Sequence, residues 1–361
     1  MSDAPIPTTG GLGRIAGNLA AICISLAVAF GLGEVVVRVA FHGSMDFDME
    51  MWKYATQIKV ANDDPRVVHE HRPNGRALLM GTEVTTNSFG LRDGERAKLK
   101  PPGTYRIVAL GDSITMGWGV QQDMTFPAQL ERMLNAQPPK GFPQGLRYEV
   151  LNLGVGNYNT AQEVMRLRNL GLAFDPDLII LGYFINDAEP TPKPSRGYLI
   201  EHSYLFAFAV SRMRLLKPGT GTYLDYYRDL YGDDQPGWQA TQAALRDLAS
   251  ISRERSIPAV MFIIPELHEL GDRYPFTGIH RRLEQVAAAI GLPVVDLFPA
   301  LKDHKPESAF WVSPLDAHHN AKAQGLLAKG IHGALESHAA QIQDRGAVRK
   351  PVASGAAATG R

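Results

Sequence analysis

A single cysteine, Cys23, occurs in the 361 residues. It lies inside an apolar N-terminal stretch, so an intramolecular disulfide is excluded and cysteine usage says nothing of the redox compartment. Excess charge is also absent: 37 Lys and Arg residues balance 37 Asp and Glu residues. That balance lacks the basic footprint that nucleic-acid binding requires, and no nucleic-acid partner is expected. No internal repeat is found, which sets repeat architectures aside. The length suits one catalytic core with appendages better than two equal domains.

Charge is missing locally as well. From Ile15 to Gly33 the sequence IAGNLAAICISLAVAFGLG carries none, and the apolar run resumes past Glu34 as VVVRVAF. This is long enough to cross a bilayer as a helix. A buried helix of the soluble domain would need protein on every side. A cleaved signal peptide, with Ala27-Val28-Ala29 as its small-residue site, is the nearer competitor, but the apolar core is long for one. An uncleaved anchor over 15–41, after a tail at 1–14, is the favoured reading. Arg14 on one flank and Arg38 and Lys53 on the other leave orientation undetermined by charge.

Residues 42–100 read as a mixed, polar, membrane-proximal lead-in. Beyond them, short apolar runs suited to buried parallel strands appear at Tyr105–Leu110, Tyr148–Leu153, Asp177–Phe184, Pro258–Ile264 and Pro293–Phe298. Helical periods alternate with them at Pro127–Ala136, Thr160–Leu172, Trp238–Arg255, His280–Ile290 and about Asn320–Ile342, with Thr160 and Asn320 placed as N-caps. The alternation predicts a doubly wound α/β sheet over 101–342, with its site beyond the carboxyl ends of the strands. An aromatic-rich insertion at 190–237 reads either as a lid or as extra packing. The Gly/Ala/Pro-rich tail at 343–361 is expected to be disordered.

Gly111-Asp112-Ser113-Ile114 follows the first strand. A serine on a strand-to-helix turn exposes its hydroxyl beside backbone N–H groups that can stabilise an anion. Far downstream stands Asp316-Ala317-His318-His319-Asn320. Serine becomes a good nucleophile when a histidine accepts its proton and a carboxylate fixes that histidine's tautomer, so one loop can supply the pair. Adjacent histidines can also bind metal, but no further cluster has ligand spacing, so neither metal nor cofactor is expected. Two loops after the second and third strands offer oxyanion donors: the N–H of Gly156 or Asn157, and the side-chain amide of Asn186. A left-handed turn at Gly156-Asn157 and an Asx turn at Asn186 are the plainer readings.

Taken in order, GDS, NLGVGNYNT, YFIND and DAHHN resemble the successive blocks of the SGNH/GDSL hydrolase family, over roughly Tyr105 to Leu335. The resemblance implies a flavodoxin-like sheet (the SGNH hydrolase fold) with Ser113 as nucleophile. It also implies an oxyanion hole from Ser113, the second-block residue and Asn186, and an Asp-His pair from the last block. Asn157 stands where the family usually has glycine, and asparagine tolerates a left-handed backbone. The family's Asp-x-x-His spacing selects His319 as the base, whereas the following register selects His318 with Asp316 one residue closer than usual; His318 is taken as the base and His319 as the alternative. The NSFGLRD segment and an anchor ending in Glu and Arg resemble those of bacterial membrane-tethered members, whose catalytic domains face the periplasmic side.

The expected activity is hydrolysis of a short acyl ester on a small molecule or envelope carbohydrate by a serine esterase. The alternatives are an O-acyltransferase using the same site and a non-catalytic envelope-binding protein that keeps the fold.

Overall fold

The computed structural model of the protein describes residues 10–192, 197–215 and 222–343. The expected disordered tail from 344 and parts of the insertion lie outside these residues. The chain opens with helix α1 (Gly10–Ala40), then α2 (Phe47–Gln57) and two antiparallel pairs, β1 (Lys59–Ala61) with β2 (His69–His71) and β3 (Arg76–Leu79) with β4 (Thr82–Thr85). There follow β5 (Thr104–Gly111), α3 (Ser113–Met116), α4 (Phe126–Ala136), β6 (Arg147–Asn152), α5 (Thr160–Asn169) and β7 (Leu178–Tyr183). The insertion contributes α6 (Tyr198–His202), α7 (Tyr204–Leu215) and α8 (Tyr223–Leu230). The chain continues with α9 (Pro236–Arg255), β8 (Ala259–Ile263), α10 (Thr277–Ile290), β9 (Val294–Asp296) and α11 (Phe298–Leu301). It ends with the hairpin β10 (Trp311–Ser313) and β11 (Asp316–His319), then α12 (Ala321–Ser337) and α13 (Ala339–Gln343).

Strands β6-β5-β7-β8-β9 form one parallel sheet in that order, the doubly wound flavodoxin-like arrangement. Each strand lies within a few residues of an apolar run in the sequence. Ile107, Val108, Ile179, Ile180, Val260 and Met261 are all fully buried, because helices cover both faces and polar side chains have no place there. The strand order reverses between β5 and β7, so the loops after β5, β6, β7 and β8 share one crevice.

Helix ends shift by up to three residues, α5 stopping at Asn169 and α9 and α10 starting at Pro236 and Thr277, and two differences have a local cause. Asn159, not Thr160, caps α5: its Oδ1 accepts from the Gln162 N–H at 3.0 Å, and Gln162 returns a bond to the Asn159 N–H at 3.3 Å. Either side chain can cap, and the earlier one also closes the reciprocal box. The last helical stretch is interrupted at His338 (φ −110°, ψ 14°), giving α12 and α13 in place of one helix.

In α1, the 28 residues Gly13–Ala40 form a helix long and apolar enough to be a single membrane span or a signal sequence. At about 1.5 Å per residue it exceeds a bilayer's hydrocarbon core. Among the described residues, its C-terminal turns are the part that packs on the body. There Glu34 accepts from the Ser203 hydroxyl at 2.8 Å and from the N–H groups of Tyr204 and Leu205 at 3.0 and 2.9 Å, capping α7. Val37, Met49 and Ala207 close an apolar cluster among α1, α2 and α7. The membrane-proximal lead-in packs on the body: Tyr54 is fully buried and sits beneath the loop after β6.

Candidate active site

The serine turn is built from both sides. At the end of β5, Asp112 caps α3, its Oδ1 accepting from the Ile114 N–H at 2.8 Å, and Ser113 begins the helix. The far end is held by Arg92, from the NSFGLRD segment, which donates to the carbonyls of Met116 (3.0 Å), Gly117 and Val120. Arg92 is fully buried, and burial lowers its pKa to about 10. Removing it strands the carbonyls of Met116 and Val120, while that of Gly117 keeps the Val120 N–H at 3.1 Å, and each unsatisfied group costs on the order of 1–3 kcal/mol. Arg92→Ala is therefore expected to lower unfolding stability by roughly 2 kcal/mol or more, readable as a denaturation midpoint shift. Arg92→Lys should recover only part, because its three donors sit on one nitrogen, whereas Arg92 reaches these carbonyls from both Nη1 and Nη2.

The histidine arrives on β11. In the hairpin Ser313 pairs with Asp316 and Trp311 with His319, with a bulge between the two pairs, and the His318 ring is turned by its bond to Asp316 towards Ser113 while His319 is buried. His318 Nε2 lies 3.0 Å from Ser113 Oγ, and its Nδ1 lies 2.5 Å from Asp316 Oδ1. The same oxygen accepts the His318 backbone N–H at 3.0 Å, while Asp316 Oδ2 accepts from Trp118 Nε1 at 2.8 Å. The shortened Asp-x-His spacing thus works because the carboxylate folds back over its own turn, as in an Asx motif. Burial pushes the Asp316 pKa up, but the His318 and Trp118 bonds outweigh it and hold the carboxyl below its usual range. His319 is buried edge-on to Phe184 without a hydrogen bond to Ser113, and burial followed by the nearby His318 lowers its pKa to about 3.

The oxyanion candidates separate. Gly156 N–H donates to the Tyr54 hydroxyl at 2.7 Å, and that hydroxyl also meets His71 Nε2 at 2.6 Å. Its amide is therefore committed, which corrects the expectation that it is a free donor. Glycine is required there because a Cβ would lie 2.7 Å from the Tyr54 ring. Asn157 takes a left-handed backbone (φ 65°), its side chain accepts from Lys59 Nζ at 2.8 Å, and its N–H makes no hydrogen bond among the described residues. The Asn186 amide faces Asp112, whose pKa is raised by burial and partly lowered by the Ile114 N–H, His318 and Asn186. Ser113, Asn157, Asn186 and His318 line one cavity of about 510 Å³.

Sequence reasoning missed the wall that α2 supplies, Phe47, Met51 and Tyr54, while Tyr223 and Tyr227 of α8 come from the insertion read as a lid or as extra packing. The Phe47 ring stacks on His318 with centroids 6.0 Å apart, and Trp118 tilts against it at 6.0 Å. A second cavity of about 670 Å³ shares Met51, Asn157, Asn186 and Glu189 with the first. Among the described residues no group of three or more His, Cys, Asp or Glu side chains is arranged to hold a metal ion.

The model of the GDSL-like lipase/acylhydrolase family matches residues 109–326, more than half of the chain. No curated protein matches it. Among solved structures, a G-D-S-L family putative lipolytic protein from Desulfitobacterium hafniense DCB-2 is similar at 15% identity, covering 64% of this chain and 99% of its own, with a TM-score of 0.38. The lipase/acylhydrolase from Enterococcus faecalis is similar at 18% identity, covering 65% and 96%, with a TM-score of 0.39. A two-domain esterase active on acetylated mannans is similar at 14% identity, covering 66% and 50%, with a TM-score of 0.42.

Proposed function

The chain belongs to the GDSL-like lipase/acylhydrolase family and is an ester-hydrolysing enzyme, and from that premise we propose that Ser113, His318 and Asp316 perform the reaction on a short acyl ester. The observation that carries this reading is the 3.0 Å contact between Ser113 Oγ and His318 Nε2. His318 takes the serine proton as Oγ attacks the ester carbonyl, and Asp316, bonded to Nδ1, stabilises the imidazolium. The backbone N–H groups of Ser113 and Asn157 and the side-chain amide of Asn186 stabilise the oxyanion. The histidine then protonates the leaving alcohol, an acyl-serine forms, and water, activated by the same imidazole, releases the acid.

Asn186→Ala is expected to lower kcat by roughly a hundredfold if its amide is one of these donors. Steady-state hydrolysis of p-nitrophenyl acetate measures this, and unchanged kcat removes Asn186 from the scheme. A fluorophosphonate probe on the detergent-solubilised protein tests the whole reading. Labelling should occur in the native chain and vanish in Ser113→Ala.

The substrate in this proposal is an acyl group, such as acetyl, on a carbohydrate of the cell envelope. The enzyme is held by α1 as a single-pass anchor with its catalytic domain outside the cytoplasm. The mixed aromatic and polar lining of the cavity supports a hydroxyl-bearing alcohol partner. A second reading, O-acyl transfer to a sugar, draws on the aromatic cover that α2 and α8 place over the site, which limits water. Product analysis with an acyl donor separates them: free acid alone means hydrolysis, and acylated oligosaccharide means transfer.

A further inference from the structure

The cavity contains a second histidine-carboxylate pair that the reaction above does not use. Glu266 and His268 lie in the loop after β8, at the same edge of the sheet as Ser113. Glu266 Oε2 accepts the His268 backbone N–H at 2.7 Å, and Oε1 meets His268 Nδ1. This repeats the fold-back turn of Asp316 and His318 with the same acid-x-His spacing. The pair is firmly held: Glu266 is buried, its N–H donates to the Tyr274 hydroxyl at 2.8 Å, and its Oε1 receives the Tyr223 hydroxyl at 3.3 Å. The next residue, Glu269, takes a left-handed backbone (φ 56°) that turns the chain away.

The His268 ring sits between Trp311 (centroids 4.7 Å apart) and Tyr223 (5.6 Å). Its side chain is 42% exposed, unlike the carboxylate behind it at 2%. With Nδ1 engaged by Glu266, the polar atom left for a ligand is Nε2, which makes no hydrogen bond among the described residues. An acyl chain laid on this wall would desolvate that nitrogen without a partner. A polyol suits it, since C–H faces pack on Trp311 and Tyr223 while a hydroxyl meets Nε2.

We propose that His268, oriented by Glu266 and flanked by Trp311 and Tyr223, binds a hydroxyl of the ester's alcohol portion, making this wall a polyol subsite. The inference rests on the esterase reading of Ser113. It places the alcohol, and not the acyl group, against the loop after β8.

The test compares acetylated xylan with p-nitrophenyl acetate, whose aromatic alcohol offers no hydroxyl to bind, using the full chain in detergent. His268→Ala is expected to lower the ratio of kcat/KM for xylan to that for p-nitrophenyl acetate by about tenfold, the worth of one hydrogen bond of about 1.4 kcal/mol. The loss should fall mainly on KM for xylan. His268→Gln, whose amide can still reach a hydroxyl, should recover part of the ratio. An unchanged ratio in both variants, or equal loss on both substrates, overturns the subsite and leaves the esterase reading standing. Absence of p-nitrophenyl acetate turnover and of fluorophosphonate labelling in the native chain overturns both together.

Discussion

Ser113→Ala is expected to lower ester turnover by about 10⁵-fold or more while leaving the chain folded, because nucleophile and base act as a unit. What remains would come from binding and the oxyanion donors alone. The structural cost is small. Among the described residues the hydroxyl bonds only His318 Nε2 (3.0 Å) and Asp112 Oδ2 (3.2 Å), and both partners keep other contacts. Losing such a bond costs about 1 kcal/mol. Thermal unfolding of the variant should therefore stay close to that of the native chain. Turnover within tenfold of native would remove Ser113 from the reaction.

Asp316→Asn is expected to cost about 10³–10⁴-fold in kcat, although the side chain scarcely changes in size. Both carboxylate oxygens accept from fixed donors: Oδ1 from the His318 backbone N–H and Nδ1, Oδ2 from Trp118 Nε1. An amide has one acceptor oxygen. If that oxygen keeps Trp118, the NH₂ group faces the His318 N–H and drives the ring to the tautomer with its proton on Nε2, where it cannot take the serine's. If it keeps His318, the NH₂ group abuts the indole N–H in a buried site. Either placement leaves a donor unpaired, so stability should fall by roughly 1–3 kcal/mol as well. Kinetics and a denaturation curve on one preparation read both effects. Native-like kcat would show that the carboxylate does not orient His318.

The sheet was legible because parallel strands covered on both faces must be apolar throughout. Val108 and Ile180 each lie in runs that hydropathy alone picks out. The turn carrying Ser113 and the cap at Asn320 were legible from local chemistry. What escaped is long-range. Nothing near Gly156 announces that its amide is taken by Tyr54, 102 residues upstream. Arg92 reaches three carbonyls across the serine turn, and Trp118 reaches Asp316 198 residues away. Such contacts leave no periodicity. The choice between His318 and His319 was not readable from strand alternation, because a bulge interrupts the pairing of β10 with β11 between Asp316 and His319. The pair Glu266 and His268 was readable too, since acid-x-His follows the β8 run just as it precedes α12.

The most direct test is the rate at which a fluorophosphonate labels Ser113 in the native chain, in His318→Ala and in His319→Leu. His319 is buried away from Ser113 with its ring at the Pro265 backbone, so an apolar side chain of similar bulk there should cost about one hydrogen bond, roughly 1 kcal/mol, and still be accommodated. Loss of the base should slow labelling by about 10³-fold in His318→Ala, and His319→Leu should stay within about tenfold of native. The reverse order, or equal labelling in all three proteins, would contradict the assignment of His318 as the group that activates Ser113.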